Sequence, residues 1–334
     1  MLLDTQLRQP LADVAGEVAE LADAGLDGCF TFEGQTDVFF PLVAAAEHGG
    51  VDLYPNLAIA FPRSPMHLAY QAWDLQRLSG GRFALGLGTQ VRPHIERRYS
   101  ATWDSPVDRM REIVEAVRAV FRCWQDGERL DYRGDHYELT LMGPAFDPGP
   151  LDVGPPPIWV GALGPRMTRM VAGVADGLLL HPFTTEPFLR DHTRPLIAEG
   201  LAAADRGPDD LTIVGEAIVC AYRNDEERQA AESGTRWLLA FYGSTPAYRP
   251  VLESIGHGEL QPELNTLSKQ GRWDEMAGLI DEPLLQQISV SGTPDQVAAQ
   301  FEHRFGAVAD RLGFYLPYAV APGLLAEIVA ACRD

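Results

Sequence analysis

The feature that most constrains this chain is a repeated alternation. Short apolar, β-type runs are each followed by a longer segment with helical periodicity. The runs are Leu2 to Leu7, then DGCFTFE, VDLYPNLAIAF, RFALGLG, PIWVGA, DGLLLHP, LTIVGEAIVCAY and RLGFYLPY. Several, such as RFALGLG and DGLLL, are continuously apolar, as parallel strands covered on both faces should be. The helical patterns between them carry start and stop chemistry. In SPMHLAYQAWDLQRLSGG, Ser64 stands at the N-cap, Pro65 at the first helical position and Gly80-Gly81 at the end. TPDQVAAQFEHRFGAVA opens the same way, with Thr293 and Pro294. Eight β-α units with no compositional break close most simply into one (β/α)8 TIM barrel, an α/β fold spanning residues 1–334. A doubly wound open sheet is the alternative. Residues 128–156 and 244–288 break the rhythm and are expected as insertions outside the eightfold repeat.

Composition narrows the function classes. There is no apolar run of 18 residues or more, and the start MLLDTQLRQP does not read as a signal peptide, so a soluble cytoplasmic protein is expected. The net charge of -20 disfavours nucleic acid and anionic membranes as partners. An anionic small molecule would have to be held locally, by a helix N-terminus or a few arginines. Cys29, Cys123, Cys220 and Cys332 are scattered without metal-ligand spacing, and no metal site is expected. HEXXH, GxSxG and a P-loop are absent, and no GxGxxG follows the first strand, which removes support for zincins, α/β-hydrolases, P-loop enzymes and Rossmann domains.

In a barrel the active site lies past the C-terminal ends of the strands. There the chain places Glu33 after the second run, and Thr89 and Gln90 after the fourth. Arg92, His94, Arg97 and Arg98 then form the densest cationic spot, suited to an anionic substrate or ligand, or to a solvated helix face. After the fifth run, Gly161, Ala162, Leu163, Gly164, Pro165, Arg166 and Met167 turn a strand into a helix through small residues. Free N–H groups at such a helix start would form an anion site. His181 ends the sixth run. Glu33, His94 and His181 are the candidates for catalytic proton transfer, with no choice among them. So few ionisable groups suit a bound cofactor that carries the chemistry itself.

SPMHLAYQAWDLQRLSGGRFALGLGTQ resembles the signature of the luciferase-like monooxygenase superfamily; GALGPRMTRMVAGVADGLLLHPF resembles its second block and SGTPDQVAAQFEHRF its third. QVRPHIERRYS, STPAYRPVLE, GRWDEMAGLID and FYLPY are similar to one branch, the F420-dependent oxidoreductases. The resemblance implies a barrel that binds coenzyme F420 at its mouth and moves a hydride between the deazaflavin C5 and a small-molecule substrate. Gly161 through Met167 would hold the cofactor phosphate, mainly by backbone N–H groups. Thr89 and Gln90 match positions that meet the ring or its ribityl chain, and Glu33 falls where relatives carry a polar pair near the ring. The family often has a non-proline cis peptide after a Gly-Thr pair in strand three. Here that stretch reads Tyr54-Pro55-Asn56-Leu57 without the pair, which makes Asn56 and Leu57 the positions to compare. A homo-oligomer, specifically a homodimer, is implied too. The alternatives are an FMN-dependent monooxygenase working with a separate flavin reductase, and a non-catalytic flavin- or deazaflavin-binding barrel.

Overall fold

The computed structural model describes residues 1–333. Its strands are β1 Leu2–Gln6, β2 Gly28–Thr31, β3 Asp52–Pro55, β4 Ala58–Ile59, β5 Leu85–Gly88, β6 Tyr132–Arg133, β7 Glu138–Leu139, β8 Ile158–Ala162, β9 Gly177–Leu180, β10 Thr212–Ala221, β11 Val290–Gly292 and β12 Arg311–Tyr315. Nine of them run in the order β3-β2-β1-β12-β10-β9-β8-β5-β4, every pair parallel. β3 and β4 are two halves of one crossing, interrupted at the cis peptide Asn56–Leu57. The ends of the series meet. The Leu53 N–H donates to Arg82 O (2.8 Å) and the Ala84 N–H to Leu53 O (3.0 Å), while Ala58 and Ile59 pair with Leu87 and Gly88. The sheet is therefore a barrel and not an open sheet.

The helices form where their caps allow. Ser64 Oγ accepts the His67 N–H (3.2 Å), and Gly80 closes that helix in the left-handed region at φ 67°. At the start of the helix Pro294–Phe305, Gln296 Oε1 accepts the Thr293 N–H (3.0 Å). The helical stretch before Pro195 passes through a π-turn, Leu189–Thr193, which accommodates a residue that lacks an N–H.

Residues 128–156 carry the antiparallel pair β6–β7 and then run across the helix Pro65–Ser79. Side chains staple them there: the Tyr70 hydroxyl donates to Phe146 O (2.7 Å) and Trp73 Nε1 to Gly149 O (3.2 Å). Residues 244–288 supply the helices Arg249–Glu253, Leu260–Lys269, Trp273–Gly278 and Glu282–Ile288. These pack with the helix Asp225–Gly243 around an apolar cluster including Leu239, Leu252, Leu264, Met276 and Leu284. Phe183, just past β9, and Ile218 of β10 join that cluster, so this layer sits over the C-terminal ends of β9 and β10.

Inside the barrel, Phe30, Tyr54, Ala84, Trp159, Leu179 and Val214 form a packed layer. An ion pair adjoins it. The Asp4 carboxylate, 0% exposed, accepts Arg311 Nε (2.9 Å) and Nη2 (2.8 Å) and the Tyr54 hydroxyl (2.8 Å). Arg311 Nη1 also reaches Asp52 (2.7 Å). Gly28 makes room for the pair, since a Cβ there would fall 2.5 Å from Asp4 Oδ1. Among the described residues, no helix is long and apolar enough to cross a membrane.

Candidate functional site

Strand side chains alternate, so residues two positions beyond the interior layer face inward at the next level up. Asn56 follows Tyr54 in this way and Glu216 follows Val214. Tyr315 follows Gly313, where an added Cβ would meet Phe30 at 3.0 Å, and Gln6 follows the buried Asp4. Asn56, Leu57, Tyr315 and Gln6 are half-buried, as a ring of residues beneath an open mouth should be.

Leu57 shapes the floor. A Cβ on Gly88 would lie 2.3 Å from Leu57 Cδ1, and one on Gly161 would lie 2.5 Å from Cδ2. Leu57 therefore lies across two strands that present no side chains to it. Leu57 is thus the half-buried apolar side chain seated on Gly88 of β5 and Gly161 of β8. Gly161 is small to admit Leu57, which is a different reason from the close phosphate approach read from the sequence.

The open position is Gly164. It is the N-cap of the helix Pro165–Val174, with φ -76°, ψ 151° and no side-chain cap. An added Cβ would meet nothing within 4 Å. The helical ladder starts with the Thr168 N–H donating to Gly164 O (3.0 Å). The N–H groups of Arg166 and Met167 precede that first bond and have no intrahelical acceptor; they carry the positive end of the helix dipole. Arg166 is exposed, Leu163 packs on the capping layer, Met167 packs on the main core, and Ala162 pairs with Leu180.

The candidates for proton transfer separate clearly. Glu33 is buried, and its carboxylate accepts the Ile59 N–H (2.7 Å), Arg63 Nη1 (2.7 Å) and the Tyr99 hydroxyl (3.0 Å). It fastens the segment after β2 to β4. His94 is exposed on the short helix Arg92–Arg97. His181 packs its ring against Tyr248 (4.4 Å between centroids) and Tyr242 (5.0 Å). Its Nδ1 accepts the Phe183 N–H (3.1 Å), and burial pushes the imidazole down to about 4. At neutral pH the ring is uncharged with its proton on Nε2.

The cationic cluster also divides. Arg92 pairs with Glu96 (2.8 Å), Arg98 Nη2 donates to Gly34 O (3.0 Å) and covers the Tyr99 ring, and Arg97 stands exposed. Thr89 and Gln90 are half-buried at the end of β5. The Thr89 hydroxyl donates to Gln90 O (2.9 Å), and Gln90 Oε1 accepts the Val91 N–H (3.0 Å), which leaves the Gln90 amide nitrogen as the available donor.

Reading only past the strand ends missed Glu216. This carboxyl is 7% exposed, and its Oε2 accepts Asn56 Nδ2 at 2.9 Å. Burial pushes it up to about 8, and the Asn56 hydrogen bond opposes part of that rise. The signal lay in the run LTIVGEAIVCAY, where one acid interrupts a strand that is otherwise apolar on both faces. Among the described residues, no group of three His, Cys, Asp or Glu side chains is placed to hold a metal ion.

Comparison with known proteins bears on the family and the fold. The luciferase-like monooxygenase family model matches residues 2–311. An uncharacterised protein of Mycobacterium tuberculosis is 43% identical over 311 residues, covering 93% of this chain and 92% of its own. A second M. tuberculosis protein, whose name proposes a coenzyme F420-dependent oxidoreductase, is 30% identical over 313 residues, covering 87% of each chain. The structure of the coenzyme F420-dependent tetrahydromethanopterin reductase from Methanopyrus kandleri superposes with a TM-score of 0.80 at 19% identity, covering 99% of this chain and 97% of the other. At that identity the superposition speaks for the fold. With the sequence blocks, the barrel and the family match in agreement, this chain belongs to the luciferase-like monooxygenase family.

Proposed function

We propose that this chain is an oxidoreductase that binds coenzyme F420 at the C-terminal mouth of its barrel and acts on a small organic substrate. The observation that carries this reading is the pairing of two features at the end of β8. Leu57, seated on Gly88 and Gly161, offers an apolar support for a ring, and the uncapped helix start at Gly164 offers N–H groups for a phosphate. A flat heterocycle joined to a phosphate fits that cradle, and the F420-directed name of a relative covering most of the chain supports the choice. When bound, the cofactor would supply or accept the hydride.

The protein's part is binding, orientation and proton management. Arg166 and Met167 would hold the phosphate through their backbone N–H groups. Leu57, Gly88 and Gly161 would support the ring, with Thr89 and the Gln90 amide at its edge. Arg97 and Arg98 would meet the anionic tail. The competing reading is an FMN-using monooxygenase, because the same floor and turn accept a flavin phosphate.

Gly164→Asp tests the phosphate site. Its backbone angles suit any residue and the space is open, so the substitution fits without strain. An Asp at an N-cap accepts the free N–H groups itself, which adds a few tenths of a kcal/mol to stability. The expected result is an unfolding midpoint unchanged or slightly raised, with F420 affinity down by about tenfold or more through like-charge repulsion and the loss of free donors. Unaltered affinity would mean that the phosphate binds elsewhere.

A further inference from the structure

Glu216 is the buried acid of the mouth, and its hydrogen bonding is one-sided. Asn56 Nδ2 donates to Oε2, so in the protonated carboxyl Oε2 is the carbonyl oxygen and the proton belongs on Oε1. Oε1 makes no hydrogen bond to a described residue, yet it is not among the fully enclosed side-chain oxygens that lack a partner. The proton is therefore held on the oxygen left free for a ligand.

The groups around it are neutral. Tyr54 of β3, Tyr315 of β12 and Tyr242 of the helix Asp225–Gly243 are the titratable side chains that sense its charge, and all three phenols are pushed up, chiefly by burial. His181, just past the end of the neighbouring strand β9, is an uncharged donor. Of the arginines near these groups, Arg63 is paired with Glu33 and Arg311 with Asp4, while Arg8, whose charge reaches Tyr315, donates to the Tyr318 carbonyl.

Resting on the deazaflavin reading above, we infer that Glu216, oriented by Asn56, is the acid–base residue of this site, and that its substrate is an uncharged carbonyl or imine compound. Such a substrate needs a proton on its heteroatom when its carbon gains a hydride. The neutral donors of the mouth would bind that heteroatom, whereas an anionic carboxylate acceptor would find no free cation at the floor. In the reducing direction, the Glu216 Oε1–H bond breaks and an O–H or N–H bond forms on the substrate. The adjacent carbon would gain the hydride, with its electron pair, from the reduced deazaflavin when that cofactor is bound. The carboxylate left behind regains its proton from water. Burial that holds the carboxyl near 8 keeps this acid loaded at neutral pH.

Two measurements on Glu216→Gln test this. Gln keeps the shape and the Asn56 bond but carries no transferable proton. The first measurement uses apoprotein labelled with carbon-13 at glutamate carboxyls. One resonance, absent in Glu216→Gln, is expected to titrate near pH 8, and Asn56→Ala is expected to move that midpoint higher by removing the bond that favours the ionised form. A Glu216 already ionised at pH 6 would overturn the inference. The second measurement follows oxidation of reduced F420 by a panel of simple ketones, cyclic imines and keto acids. Glu216→Gln is expected to bind F420 within about twofold of wild type and to reduce the neutral acceptors roughly 100- to 10,000-fold more slowly, without the fall in rate above pH 8. Full-rate reduction by Glu216→Gln, a panel from which no neutral carbonyl or imine is reduced, or a preference for keto acids would overturn it. Wild-type protein that does not bind F420 would sink the cofactor reading instead, and the carbon-13 titration would still decide the state of Glu216.

Discussion

Replacing Arg311 with Leu is expected to destabilise the barrel by about 3–5 kcal/mol, among the largest effects of any single substitution in the molecule. The reason is the charge left behind. Asp4 is 0% exposed, and both of its oxygens face the Arg311 guanidinium, with only the Tyr54 hydroxyl as a further donor. Without Arg311, an unpaired carboxylate would remain inside the barrel or take up a proton. The pair is not itself a large source of stability, because two charges had to leave water to form it. Asp4→Leu combined with Arg311→Met should therefore recover most of the loss. Urea unfolding of wild type, the single variant and the double variant checks this. A single variant within about 1 kcal/mol of wild type would show that Asp4 is solvated or already neutral.

Raising the pH from 6 to 9 is expected to cost the wild-type fold roughly 2–3 kcal/mol through Glu216 alone. The group's ordinary value is 4.5, and burial raises it to about 8 in the folded chain. Between these values the folded state binds the proton that the unfolded state has released. The stabilisation is fully present below pH 4.5 and is lost as pH rises through 8. Glu216→Gln removes the titration, so its stability relative to wild type should rise by that amount between pH 6 and pH 9. His181 acts in the opposite sense. Its value falls from 6.5 to about 4, so its contribution is present above 6.5 and is lost as pH falls through 4; less than about 1 kcal/mol of it falls inside this window and cancels between wild type and variant. A wild-type minus variant difference that is equal at both pH values would contradict the assignment.

The eight barrel crossings were legible because parallel strands covered by helices must be apolar on both faces, and this chain separates them with capped helices. The third crossing was legible as one strand but not as two. Nothing in YPNLAIAF announces the interruption at Asn56–Leu57, although the resemblance pointed to those two residues. Glu216 stayed hidden because it sits mid-strand in β10, whose last three residues, Val219 to Ala221, extend past its barrel pairing to meet β11. A mid-strand residue of so long a strand reaches the level of the mouth. The arginine cluster read as one positive spot because sequence shows proximity and not direction. On a helix, Arg92 and Glu96 share a face and pair, which removes one of the charges. Glu33 stands where a catalytic acid was expected, but hydrogen bonds from Ile59, Arg63 and Tyr99 join it only after the chain has folded.

We propose that the mouth of this barrel binds a deazaflavin in preference to a flavin. Titrating the apoprotein with oxidised F420 and, separately, with FMN, each followed by quenching of ligand fluorescence, tests it most directly. Both ligands can use the Leu57 floor and the Gly164 turn. Only F420 adds a long anionic tail for the exposed Arg97 and for Arg98 beside it. F420 is expected to bind about tenfold more tightly, a difference of roughly 1.4 kcal/mol that a single charge-assisted hydrogen bond can supply. FMN binding as tightly as F420, or more tightly, would contradict it.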